Sequence, residues 1–107
     1  MKQISVTDAF NLIDQEESLL VLYSWSGMTI RPTMEQACDR LGRYYSEVAL
    51  VKVEVDPAHL TKEEMQKIGV MRVPQLKFYS HHVLVGAITG QATPSDIYEK
   101  IISTYTT

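Results

Sequence analysis

The chain has 107 residues, 45% hydrophobic and 21% charged with few Gly and Pro, which excludes a disordered or fibrous protein. Ten Lys and Arg against 13 Asp and Glu leave a formal charge of -3, too mild for the basic stripe that a nucleic-acid partner requires. No apolar run approaches the roughly 20 residues needed to cross a bilayer. The start M-K-Q-I-S-V-T-D also turns polar before a signal-peptide core can form, so a cytoplasmic protein with no membrane partner is expected.

Taken in order, the elements predict one domain spanning residues 1–107, large enough to bury roughly two thirds of its unfolded surface in a single core. Gln3 to Ser5 is expected to form a short edge strand. Ser5 and Asp8 then have the S-x-x-D spacing of a capping box ahead of Ala9, Phe10, Leu12 and Ile13. Leu19 to Tyr23 (L-L-V-L-Y) is continuously apolar, as a strand covered on both faces must be, and belongs at the centre of a sheet. Pro32 suits a first helical turn, and Met34, Ala37, Cys38, Leu41 and Tyr45 recur at helical steps, predicting an amphipathic helix about four turns long. Val48 to Val55 is rich in β-branched residues and is stopped by Asp56-Pro57. Thr61 caps a short helix through Glu63, Glu64, Met65 and Ile68, closed by Gly69. Leu76 to Ser80 and Val83 to Ile88 read as an antiparallel hairpin turned at His81-His82 and ended by Gly90. Thr93, Pro94 and Asp96 start a last helix whose Ile97, Ile101 and Ile102 can cover the sheet.

This order, β-α-β-α-β-α-β-β-α, resembles thioredoxin, and local strings support the likeness along the chain. K-Q-I at the start, Tyr45-Ser46 leading into V-K-V-E-V-D, G-V-M-R-V-P and Gly90 all fall where the thioredoxin-like family has similar residues. The resemblance implies an α/β fold, a three-layer α/β/α arrangement in which a central mixed sheet of four to five strands is flanked by four helices. It also implies that Pro74 is the family's cis-proline.

The diagnostic segment departs from the pattern. Where the family carries W-C-G-P-C, this chain has Trp25-Ser26-Gly27-Met28-Thr29, and its only cysteine is Cys38. The loop from Trp25 to Pro32 is shorter than in the family, so Met28 to Arg31 fit more than one register, and none restores a cysteine. The family's buried aspartate would fall near Leu20 to Leu22, all apolar.

Dithiol exchange needs a thiolate to attack and a second thiol to resolve the mixed disulfide, so no dithiol-disulfide oxidoreductase activity is expected. Ser26 would be a nucleophile only beside a base, and the segment supplies no His, Asp or Glu; backbone hydrogen bonding by Ser26 and Thr29 near the helix start is favoured. Cys38 shares the stripe of Met34 and Leu41 and is expected to be a buried small hydrophobe. His81 and His82 project differently from a hairpin tip, and without ligand-spaced partners they read as solvated turn residues; no metal and no cofactor is expected. The charged stretches Lys62 to Lys67 and Glu99-Lys100 read as solvated helix faces.

In the family the cis-proline leaves the backbone N–H and C=O of the preceding residue free to pair with an extended substrate peptide, so the resemblance implies that Val73 offers them here by β-augmentation. The expected function is therefore a redox-inactive adaptor or chaperone-like module. Its partner would be a protein or extended peptide segment, and its binding surface Trp25, Ser26, Gly27, Met28, Thr29, Val73 and Pro74, with Met71 at the rim. One alternative is a binder of, or transferase acting on, glutathione-like ligands, in which Ser26 donates to sulfur. Another is a structural homo-oligomer whose apolar rim is an interface.

Overall fold

In a computed structural model, which describes residues 1–25, 31–43, 46–56, 60–69, 74–90 and 93–105, the uninterrupted apolar run becomes the middle strand of a sheet. That strand is β2 (Ser18–Ser24), and it is buried on both faces from Leu19 to Ser24. The full order is β1 (Lys2–Ile4), α1 (Val6–Gln15), β2, α2 (Arg31–Gly42), β3 (Ala49–Glu54), α3 (Lys62–Ile68), β4 (Gln75–Ser80), β5 (Val83–Thr89) and α4 (Pro94–Tyr105). The strands lie in the order β1-β3-β2-β4-β5, with β3 parallel to β1 and β2, and β4 antiparallel to β2 and β5. Five strands, four helices and a layer of helices on each side of the sheet match the expected three-layer architecture.

Alternation along β2 divides the core in two. Leu20 and Leu22 face α2 and α4 and pack with Met34, Cys38, Phe78, Ile97 and Ile101. Leu19, Val21 and Tyr23 face α1 and α3 and pack with Ala9, Val51, Val53, Ile68 and Tyr79.

The predicted caps form. The Ser5 hydroxyl accepts from the Asp8 N–H, while Thr61 with Glu64, and Thr93 with Asp96, exchange hydrogen bonds in both directions. Gly69 ends α3 in the left-handed region at φ 64, where a side chain would be strained. His81 and His82 both take positive φ, 51 and 70, which is the twist a two-residue hairpin loop needs.

Several boundaries differ from the sequence reading. The first strand begins at Lys2 because its pairing to β3 runs from Lys2 opposite Val51 to Ile4 opposite Val53. β3 is two residues shorter than the apolar run, since Val48 and Val55 lie just outside its ladder. β5 gains Thr89, which pairs with Gln75. α2 stops at Gly42, short of four turns: the Arg43 N–H bonds to the Arg40 carbonyl three residues back, a tightened last turn. A β-carbon on Gly42 would lie 2.5 Å from Leu50 Cδ1, so the residue lets α2 end close against β3. Tyr45 lies outside the described residues.

Candidate functional site

Trp25 follows directly on β2 and is 44% exposed, although the preceding residues Leu19 to Ser24 are all buried. On the neighbouring strand, Tyr23 pairs with Gln75, so the next residue on either side of that pair is Ser24 in one strand and Pro74 in the other. Pro74 is fully buried, and its carbonyl accepts from the Gly90 N–H at 2.9 Å. The glycine expected to end the hairpin therefore also ties down the proline, and its own φ of 82 suits only glycine without strain. Trp25 and Pro74 are thus brought to the same end of adjacent central strands. Ser26, Gly27, Met28, Thr29, Met71 and Val73 lie outside the described residues.

Two buried polar atoms at this end have no hydrogen-bond partner among the described residues. They are Ser24 Oγ and Gln75 Oε1, belonging to the residues adjacent in sequence to Trp25 and Pro74. The Gln75 amide nitrogen is satisfied, donating to Thr89 Oγ1 at 2.9 Å. Buried polar atoms are ordinarily paired, with protein groups or with ordered water. The continuous apolar run concealed Ser24, because a serine at a strand end reads as the start of a loop.

The centre of β2 is apolar on both faces. Leu20, Val21 and Leu22 are fully buried, and Cys38 is 0% exposed on the same side of the sheet as Leu20 and Leu22. Burial first, and the neighbouring Asp39 carboxylate second, push the Cys38 thiol up to about 12. At neutral pH that group is a protonated, enclosed hydrophobe and not a nucleophile.

The opposite side of the sheet holds polar groups the sequence did not single out. Lys77 Nζ donates to the Ile68 carbonyl at 2.9 Å and stands 5.4 Å from the Tyr23 ring centroid. Its desolvation lowers its pKa from the ordinary lysine value. The Tyr23 and Tyr79 hydroxyls share a hydrogen bond, and burial raises the pKa of both. Between α2 and β3, Lys52 Nζ contacts both Glu35 carboxylate oxygens at 3.1 Å. In sequence, a lysine inside V-K-V-E-V is only an alternating strand position; its partner on α2 is visible only in three dimensions.

At the other end of the sheet, His81 Nδ1 is 3.0 Å from Ser80 Oγ, and His82 Nδ1 is 2.8 Å from the Ile13 carbonyl. Among the described residues no group of three His, Cys, Asp or Glu is arranged to hold a metal. No helix among them is long and apolar enough to cross a membrane.

The chain matches none of the known protein-family models, and no curated protein sequence is significantly similar to it. Its fold is nonetheless similar to many solved structures. Mitochondrial thioredoxin 3 of Saccharomyces cerevisiae superposes with a TM-score of 0.80 at 22% identity, covering 96% of this chain and 94% of that one. Thioredoxin O2 of Arabidopsis thaliana gives a TM-score of 0.83 at 17% identity, with 97% and 93% covered. Oxidised thioredoxin of Plasmodium falciparum gives 0.82 at 19% identity, with 96% of each chain covered. The chain has the thioredoxin fold over nearly its whole length.

Proposed function

We propose that this protein is a redox-inactive interaction module of thioredoxin fold that holds an extended peptide segment at the end of β2 and β4. The observation that carries this reading is Trp25, a large aromatic side chain left 44% exposed beside a fully buried Pro74, on a chain whose single thiol is enclosed. A half-exposed tryptophan offers a wide apolar face while keeping its indole N–H available, which is why such residues anchor interfaces. The Pro74 carbonyl is already engaged by Gly90, and in this reading the bound segment pairs with the backbone of Val73 by β-augmentation, as the family resemblance implies. Ser26, Gly27, Met28 and Thr29 are assigned to the same surface by this reading, and a methionine there suits bound segments of varied shape. The setting is cytoplasmic.

Affinity capture from a cell extract with wild type, Trp25→Ala and Val73→Asp tests the surface. Each variant is expected to retain at least about tenfold less partner, the loss typical of removing an interface anchor. Undiminished capture by both variants would overturn the reading. Insulin reduction is expected to stay at background with the wild-type chain.

A further inference from the structure

Lys77 lies on β4 between Gln75 and Tyr79, on the side of the sheet that faces α1 and α3. Its ammonium is partly desolvated, and no carboxylate among the described residues pairs with it. Partial loss of water around a cation favours a nearby acceptor. What it meets is the negative end of a helix: the Ile68 carbonyl, on the last residue of α3, accepts from Nζ at 2.9 Å, and the Tyr23 ring face lies 5.4 Å away. The Gly69 N–H is spent on the Met65 carbonyl, so the lysine satisfies an acceptor that the helix's own cap leaves open.

The location of this bond gives it consequence. The chain leaves α3 at Gly69 and returns to the sheet at Pro74, so Lys77 fastens the departing end of that connection. The Gly90 N–H, bonded to the Pro74 carbonyl at 2.9 Å, fastens the returning end. Both fasteners come from the β4–β5 hairpin and its closing glycine. The two described ends on either side of Val73, Ile68 and Pro74, are thus each bonded to a residue of this hairpin or its closing glycine.

We infer that Lys77 is the positioning residue of the Pro74 docking edge, its ammonium fixing the end of α3 from which the chain enters the site. The inference rests on the reading of Trp25 and Pro74 as a docking surface. Lys77→Met keeps the apolar stem but leaves the Ile68 carbonyl without its donor, whereas Lys77→Arg restores a donor of similar reach.

Hydrogen–deuterium exchange on the free protein tests this. Lys77→Met is expected to speed exchange of the 69–73 amides about tenfold while β2 and β3 change less than about twofold, and Lys77→Arg is expected to reverse most of the local effect. Acceleration spread evenly over all elements, or none, would overturn the inference; should Lys77→Met fail to fold, Lys77→Gln is read in the same way. In the capture experiment, Lys77→Met is expected to retain about fivefold less partner than Lys77→Arg, and equal retention counts against positioning. A wild-type chain that captures nothing would defeat the docking reading instead, while the exchange pattern would still judge Lys77.

Discussion

On the side of α2 and α4 the sheet meets Leu20, Leu22, Met34, Cys38 and Phe78, whereas on the side of α1 and α3 it meets Tyr23, Tyr79 and the ammonium of Lys77. Both sides are closely covered, but they treat polar groups differently. The first holds no ionisable group within its buried cluster except a thiol whose pKa burial raises. The second keeps hydroxyls and an ammonium, each given a hydrogen-bond partner. Around α2 the buried cluster itself is apolar, with the Lys52–Glu35 pair and the Tyr105 hydroxyl at its margin, whereas on the other side the Lys77 ammonium bonds to the end of α3.

The largest expected effect comes from forcing a carboxyl into the buried cluster under α2. Leu20→Asp would bury an unpaired acid at a fully enclosed position, at a cost of roughly 3–5 kcal/mol near neutral pH. Burial raises the folded-state pKa of that acid above the unfolded value of about 4, so the penalty should grow as pH rises through that value. Denaturant unfolding at pH 4 and pH 7 checks the sign. An equal loss at both would mean that the carboxyl finds water or a partner there.

Tyr79→Phe probes the other side. It leaves the buried Tyr23 hydroxyl without the bond the two share, which is expected to cost about 1–2 kcal/mol, read as a lower denaturant midpoint at unchanged m-value. No measurable change would mean that the polar pairing there is incidental.

The smallest effect is a pH dependence. The Cys38 thiol lies at about 12 in the folded chain against 9.0 ordinarily, so unfolded chains release its proton first and stability falls as pH rises from about 9 towards 12. Between pH 8 and pH 10 the wild type is expected to lose about 1 kcal/mol more than Cys38→Ala, tyrosine contributions being common to both. Native-state alkylation of Cys38 should also be slow without denaturant. Rapid labelling would contradict the burial on which the comparison stands.

Much of this was legible in the residues themselves. The run L-L-V-L-Y announced a doubly covered strand, helical spacing placed Cys38 beside Met34, and Thr61, Gly69 and Thr93 marked helix ends, because each rests on a short-range rule. Errors came where an end is decided by tertiary packing. α2 stops at Gly42, against Leu50, although the helical period runs on to Tyr45. At the candidate site, the resemblance singled out Trp25 and Pro74, whereas Ser24, Gln75 and Lys77 carried no signal. An alternating strand such as Q-L-K-F-Y-S reads as polar-out, and only the packed structure shows that Lys77 finds a carbonyl on α3, nine positions earlier in the chain.

The ring of Tyr105 packs against Phe78, its centroid 6.4 Å away, and its hydroxyl donates to the carbonyls of Leu19 at 2.8 Å and Tyr79 at 3.2 Å. The first of those bonds joins residues 86 positions apart, on the innermost strand and in the last turn of α4. During synthesis at ~5–20 residues per second, the Leu19 carbonyl therefore waits roughly 4–17 s for its partner to be made. Over the same interval the α2 side of the sheet lacks Ile97 and Ile101. The emerging chain thus presents its most apolar strand before it has the means to cover it, and this fold is completed only once α4 has been made.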